Sequence, residues 1–171
     1  LRPSYFLVLN PLECDRTYSS VHGDQACGTG HARSMLDSPQ AWSAGTGKGQ
    51  WMRIDAGSAL LVYGVRAQAR AAPHEHQKVT AFTVQHSTDD SAWSNVDGNA
   101  RFTDASGEFD ARFATPVMAQ YIRITVVSWA SHISMRAGLL VDEGWVTVTE
   151  VDLYATRNPA SVSGVTARCN G

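Results

Sequence analysis

The stretch Leu61-Val62-Tyr63-Gly64-Val65-Arg66-Ala67-Gln68 alternates between apolar and polar side chains. One face of this repeat carries Leu61, Tyr63, Val65 and Ala67. Gly64, Arg66 and Gln68 fall on the opposite face, because successive side chains of an extended chain point in opposite directions. An apolar face opposite a polar one predicts a half-buried β-strand.

The same alternation recurs twice further along the chain. Between Val79 and His86 it places Phe82 and Val84 on one face. Between Tyr121 and Val127 the apolar face carries Ile122, Ile124 and Val126. Both stretches therefore predict strands with one buried face.

Turn signals separate these strands. Thr88-Asp89-Asp90-Ser91 and Asp97-Gly98-Asn99 are rich in the residues that favour tight turns, residues 44–49 form a glycine-rich loop, and Pro73 interrupts the stretch from Ala69 to Gln77. No window predicts an amphipathic helix longer than a turn or two. Many short strands joined by turns indicate an antiparallel β-sandwich or barrel.

The end of the chain differs in composition. Residues 145–154 are β-branched and aromatic, with a change of apolar phase near Glu150 that a bulge would explain. From Asn158 onward the chain is rich in Ser, Gly, Ala and Pro. We expect one domain over residues 1–157, and a tail or linker over residues 158–171 that joins it to a larger multidomain chain.

Composition and motifs exclude several functions. The 171 residues carry a net charge of -2, whereas a nucleic-acid-binding domain shows a basic excess. The sequence Gly45-Thr46-Gly47-Lys48-Gly49 lacks the Ser or Thr that follows Gly-Lys in a phosphate-binding loop. No G-x-S-x-G motif, catalytic triad or carboxylate pair is recognisable. We therefore expect no enzymatic activity and no nucleic-acid partner.

The three cysteines are Cys14, Cys27 and Cys169, and an odd count leaves at least one thiol unpaired within the chain. A bridge from Cys14 or Cys27 to Cys169 would tie the two ends together, as in many secreted domains. Three reduced thiols in a cytosolic protein are the alternative.

Ordered blocks of sequence resemble discoidin domains, which are also called coagulation factor V/VIII C-type domains. Residues 35–44 and 50–55 resemble the "SAWSA…QWLQIDLG" core of that family, and residues 62–70 resemble its "VTGVITQGR" strand. Further matches are residues 79–87, residues 113–124, and Trp129 with residues 133–136. The blocks follow the family's order from Thr17 to Val141, and this ordered combination carries the resemblance.

The resemblance implies an all-β, antiparallel jelly-roll β-sandwich of about eight strands, galactose-binding-like in fold. It also implies a non-catalytic, extracellular role in recognition or cell adhesion. Family members close a disulfide around the domain, which suggests Cys14–Cys169, although Val141 stands where the family places the second cysteine. Cys27 has no counterpart in the family pattern.

The resemblance places three ligand-binding loops at one end of the sandwich, over residues 19–30, 43–49 and 69–77. Sugar recognition uses planar donors, carboxylates or amides, and an aromatic or glycine platform. Arg70 matches the arginine of the "QGR" motif, and a guanidinium can span two vicinal hydroxyls. The candidate ligand-binding residues are Arg70, His76, His74, Glu75, His22, Asp24, Trp42, Thr46 and Lys48.

Other ligands remain as alternatives. The loops could bind a partner protein or a phospholipid surface, but Val21 is the one apolar tip of the first loop, which makes membrane insertion unfavourable. His74 and His76 share one side of an extended chain, yet zinc takes about four ligands. Related sugar-binding sandwiches hold a structural calcium, for which Asp37, Ser38 and Glu150 would offer oxygen ligands.

Overall fold

The computed structural model describes residues 6–142, and almost all of their regular structure is β-strand. Short 3₁₀ turns lie at Glu13–Asp15 and Val96–Gly98. The strands are β1 (Phe6–Leu9), β2 (Arg16–Tyr18), β3 (Trp42–Ser43), β4 (Trp51–Gln68), β5 (Lys78–Ser87), β6 (Ser94–Asn95), β7 (Phe102–Thr103), β8 (Glu108–Ala130) and β9 (Ser134–Asp142). Among the described residues no helix is long and apolar enough to cross a membrane.

The long strands β4 and β8 pair with each other at the centre of the sheet. β2 pairs with the first half of β4 and β9 with its second half, while β5 lies along the other side of β8. The β4–β8 register shifts between Asp55 and Leu60 and again between Val62 and Gly64. Bulges bend strands, and the antiparallel sheet curls into a half-barrel. The predicted jelly-roll sandwich is confirmed.

Buried cross-strand pairs build the core between the layers. Ile54 lies opposite Ile122, and Met52 lies opposite Ile124, which on its other side faces Val84 of β5. All five side chains are inaccessible to solvent. The apolar faces predicted for β5 and β8 are therefore confirmed.

The face predicted for β4 is wrong in its first half. Val62 is fully buried, whereas Leu61 and Tyr63 are only half-buried. The register shift after Val62 changes which residues face the core, so Val65 is buried as predicted. Gly64 permits this bulge, because a Cβ there would lie 2.5 Å from the carbonyl oxygen of Ala111 on β8.

Arg16 is a buried cation inside this fold, with a relative exposure of 2%. Its Nη1 donates to the carbonyl oxygens of Ser34, at 2.9 Å, and Ala137, at 2.6 Å. Its Nη2 donates to Asn10, at 2.9 Å, and to the Pro11 carbonyl, at 2.9 Å. Burial lowers the pKa of Arg16 to about 10, so the guanidinium stays charged at neutral pH. One side chain thus connects β2, the β2–β3 connection and β9.

The disulfide suggested between Cys14 and Cys169 is wrong. Cys14 pairs with Cys27, with the two Cα atoms 5.3 Å apart and a sequence separation of 13. The bridge closes a loop that contains β2 and the first part of the β2–β3 connection, and it does not join the two ends of the domain. The reason is spatial: the 3₁₀ turn carrying Cys14 lies against this connection, where Glu13 Oε2 accepts the backbone N–H of Ser34.

Replacing both bridged cysteines, in Cys14→Ala/Cys27→Ala, should lower the free energy of unfolding by about 3 kcal/mol. A cross-link that closes a loop of about 15 residues restricts the unfolded chain by roughly that amount. Urea denaturation measures the loss. The matched control is Cys169→Ala, which leaves the Cys14–Cys27 pair intact. An equal loss in the control would contradict the assigned pairing.

Several expectations fall outside the described residues. These are the strand-like segment at residues 145–154 with its bulge near Glu150, Cys169, and the boundary between the domain and the tail at residues 157 and 158. They stay predictions.

Candidate ligand-binding site

A polar cleft lies where three connections and β3 meet at one end of the sandwich, and it encloses about 240 Å³. The β2–β3 connection, the β4–β5 loop and the β8–β9 turn each contribute at least one histidine. We call this site the histidine cleft, and its lining residues are His22, His31, Ser43, Arg70, His74, Gln77 and His132.

The short strand β3 holds the cleft together. Ser43 pairs with Ser134 of β9, and their hydroxyl oxygens lie 2.9 Å apart. The Ser43 carbonyl accepts the N–H of His22 at 2.8 Å, and the Ser43 N–H donates to the carbonyl of His31 at 3.1 Å. One serine backbone therefore fixes two histidine-bearing segments against the end of β9.

Three imidazole rings pack edge to face in the cleft. The centroid of the His22 ring lies 5.2 Å from that of His31 and 5.8 Å from that of His132. The His132 Nδ1 lies 3.0 Å from the carbonyl oxygen of Ile133. A carbonyl only accepts hydrogen bonds, so this contact assigns the proton of neutral His132 to Nδ1 and leaves Nε2 as an acceptor.

Arg70 is held in place by two amide side chains. Its Nε donates to Oε1 of Gln40 and its Nη1 to Oε1 of Gln77, each at 2.7 Å. The backbone N–H of Arg70 also donates to the carbonyl of Gln77, at 3.2 Å. These contacts orient the planar guanidinium before any ligand binds, which lowers the entropy cost of binding.

His31 lies in an electropositive and partly desolvated position. Burial lowers the pKa of its imidazole below the ordinary value, and the positive charges of Arg70, His22 and His132 lower it further. Its Nδ1 is buried without a hydrogen-bond partner among the described residues. The neutral form of His31 is therefore favoured in the folded protein.

Wild-type protein should lose stability, relative to His31→Gln, as the pH falls below about 6.5, the ordinary histidine pKa. The folded state has the lower pKa, so the unfolded state binds the proton first, and the contribution of neutral His31 is present above that pH and lost below it. Urea midpoints at about pH 7.5 and about pH 5.5 measure the difference. The matched control is His86→Gln, outside the cleft. The prediction fails if this control changes the pH dependence as much as His31→Gln does.

The structure brings together three of the predicted ligand-binding residues, namely Arg70, His74 and His22. Asp24, Glu75 and His76 are exposed on the same loops but do not line the cleft. Thr46 accepts a hydrogen bond from Gln50 at 2.7 Å, and Lys48 is exposed at the tip of its loop.

The assignment of Trp42 as a ligand-stacking residue is wrong. Its side chain is fully buried, its indole Nε1 donates to the carbonyl of Ser20 at 2.8 Å, and its ring stacks on Tyr18 at 5.5 Å. On β3 the side chains alternate, so Trp42 packs into the core while Ser43 lines the cleft. Trp42 therefore packs in the core and does not line the cleft.

Sequence reasoning missed several cleft residues. Gln77 could have been predicted as a cleft residue, because it is the last residue of the β4–β5 loop that carries Arg70. His132 follows β8 in a turn, and a histidine between two strands is a signal that could have identified it. His31 had no local signal, because its place in the cleft depends on pairing with Ser43.

The described residues provide no metal site built from three or more His, Cys, Asp or Glu side chains. His74 and His76 lie with their rings 6.1 Å apart. At the suggested calcium position, the Ser38 carbonyl accepts a hydrogen bond from Arg136 at 2.9 Å, and the Asp37 carboxylate accepts one from Gln68 at 2.9 Å. The third suggested ligand, Glu150, lies outside the described residues.

The antiparallel sheet curled into a half-barrel has the fold of galactose-binding-like domains. Residues 17–139 match the F5/8 type C domain family, and the chain belongs to this family. Lactadherin from Mus musculus is 29% identical over 107 residues, which cover 58% of this chain and 23% of lactadherin. The chain thus spans about a quarter of the length of that relative.

Solved structures share the fold at low sequence identity. Wild-type discoidin II from Dictyostelium discoideum superposes with a TM-score of 0.60 at 17% identity, covering 81% of this chain and 58% of discoidin II. The CpGH89CBM32-5 module from Clostridium perfringens, solved in complex with GalNAc-β-1,3-galactose, has a TM-score of 0.58 at 12% identity, covering 74% of this chain and 93% of that module. These similarities establish the fold, and the family match supports a binding module.

Proposed function

We propose that this domain is a non-catalytic, extracellular binding module whose histidine cleft receives a carbohydrate or glycoconjugate, with a role in adhesion. The observation that carries the proposal is the oriented guanidinium of Arg70 beside the imidazoles of the cleft. Planar donors suit vicinal hydroxyl groups, because they can form two hydrogen bonds at once. The Cys14–Cys27 disulfide supports an oxidising, extracellular location.

The size of the cleft supports a small polar ligand. Its volume of about 240 Å³ lies below the roughly 300–1,000 Å³ typical of pockets for drug-sized molecules. A terminal sugar of a larger glycan suits such a cleft. The Clostridium module, similar in fold, was solved with a disaccharide, which is consistent with this ligand class.

The surface of the domain gives less support to the two alternative ligands, a partner protein and a phospholipid membrane. The large hydrophobic residues most exposed within residues 6–142 are Leu12 and Met118, and neither lines the cleft. Val21, the apolar tip of the first loop, packs against the core. A protein-binding patch or a membrane-inserting loop would present apolar side chains at the loop end.

A glycan array tests the proposal, with wild type beside Arg70→Ala and the matched control Arg101→Ala, an exposed arginine outside the cleft. We expect a set of glycans bound by wild type and by the control, and lost in Arg70→Ala. The proposal is contradicted by no binding to any glycan, or by binding that Arg70→Ala leaves unchanged. Vesicles containing phosphatidylserine, pelleted with the protein, test the membrane alternative.

A further inference from the structure

Resting on the proposed function, we propose that the histidine cleft selects acidic saccharides, those bearing a carboxylate or sulfate group, and binds them more tightly as the pH falls. Two features carry this inference: the number of imidazoles that share the cleft, and the absence of a carboxylate among the described residues that line it. Both concern the charge that the cleft presents to a ligand.

The lining combines a permanent cation with four groups that can become cations. Arg70 is charged at any physiological pH, and histidine titrates near pH 6.5 in its ordinary state. The charges that act on the His31 ring come from Arg70, His22 and His132, and none of them is a carboxylate. The hydroxyl groups of a neutral sugar can accept hydrogen bonds here, but they carry no negative charge for this positive potential to attract, whereas an acidic sugar does.

The connections around the cleft carry few acidic side chains, and none of the described ones lines it. The β2–β3 connection carries the acids Asp24 and Asp37, and the β4–β5 loop carries the acid Glu75, but all three are exposed and none of them lines the cleft. The β8–β9 turn contributes His132, and the loop between β3 and β4 carries Lys48 at an exposed position. Within residues 6–142, no acidic side chain is therefore placed to neutralise the imidazoles from inside the cleft.

The packing of the rings provides the pH dependence. His22 lies between His31 and His132, with ring centroids 5.2 Å and 5.8 Å away. The positive charges of His22 and His132 contribute to lowering the pKa of His31, because like charges at this distance repel. A bound carboxylate or sulfate compensates the positive charges and favours protonation. By linkage, a ligand that favours proton uptake binds more tightly at lower pH.

The hydrogen-bonding groups match an anion as well. Nη2 of Arg70 has no hydrogen-bond partner among the described residues and can donate to an anionic oxygen. Neutral His132 presents Nε2 as an acceptor, and protonation converts that atom into a donor. Lowering the pH therefore adds donors as well as charge to the cleft.

The experiment uses an array of carboxylated and sulfated glycans, each beside its carboxyl-reduced or desulfated counterpart, at about pH 7.5 and about pH 5.5. We expect the acidic member of the bound pairs to be preferred, and its dissociation constant, measured by calorimetry, to fall about fivefold at the lower pH. This figure corresponds to a rise of about one unit in the pKa of one histidine on binding. Phosphatidylserine vesicles at the lower pH form a separate arm.

The variant His22→Gln/His132→Gln removes two of the imidazole rings of the cleft, and His86→Gln is the matched control outside the cleft. We expect the double variant to lose most of the pH dependence and the control to keep it. The inference is overturned if neutral counterparts bind equally well, if affinity does not change with pH, or if the vesicles bind through Arg70 while acidic glycans do not. Binding of neutral glycans alone would leave the proposed function standing, whereas binding of no glycan at all would overturn both.

Discussion

Arg16→Met should lower the free energy of unfolding by about 4 kcal/mol, because it removes the donor of several buried hydrogen bonds. Methionine fills a similar volume but donates no hydrogen bond. The Pro11 carbonyl loses both hydrogen bonds that it accepts from Arg16, and the Ala137 carbonyl loses one. The Ser34 carbonyl also loses one but still accepts the backbone N–H of Ala137. A buried acceptor left unpaired costs about 1–3 kcal/mol. Urea denaturation of wild type and variant measures the difference.

The matched control for this prediction is Arg101→Met, because Arg101 is exposed. We expect that control to lie within about 0.5 kcal/mol of wild type, as surface substitutions usually do. Arg16→Lys should also destabilise strongly, since one ammonium cannot reach acceptors arranged around a planar fork. A loss below about 1 kcal/mol in Arg16→Met would show that the buried guanidinium does not hold the three segments together.

Arg70→Lys should weaken glycan binding by about tenfold or more, nearly as much as Arg70→Ala. A hydrogen bond to a charged group contributes about 1.5–3 kcal/mol, which corresponds to roughly ten- to 150-fold in affinity. Lysine keeps the positive charge but loses the fork that Gln40 and Gln77 orient. Calorimetry with the strongest array ligand measures the loss.

A second variant, Gln40→Glu, tests whether the orientation of the Arg70 guanidinium matters for glycan binding. The carboxylate still accepts the hydrogen bond from Arg70, so the guanidinium stays oriented while its positive charge is partly compensated. We expect this variant to bind neutral glycans better than Arg70→Lys does. Wild-type affinity in Arg70→Lys would contradict the role assigned to the guanidinium fork, and thermal denaturation of each variant checks that it is folded.

The strands were predictable where local alternation controls burial. Phe82, Val84 and Ile124 bury the faces that their sequence spacing predicts. In β4 the alternation failed at Val62, because the bulge at Gly64 depends on close contact with a distant strand. Spacing alone contains no information about that contact.

The candidate site was predictable where its residues lie on loops that the family resemblance identifies. Arg70 and His74 share one such loop, and the structure places both in the cleft. His31 and His132 reach it through the pairing of β3 with β9, which joins segments far apart in the sequence. The disulfide partner of Cys14 likewise depended on packing against the β2–β3 connection, and the family pattern suggested the wrong cysteine.

Saccharide binding in the histidine cleft is tested most directly by titrating the domain, labelled with ¹⁵N in its histidine rings, with the strongest glycan from the array. We expect shifts in the ring resonances of His22, His31 and His132, with no change at His86, which lies outside the cleft. Saturable binding that leaves the three cleft histidines unchanged would contradict saccharide binding in this cleft.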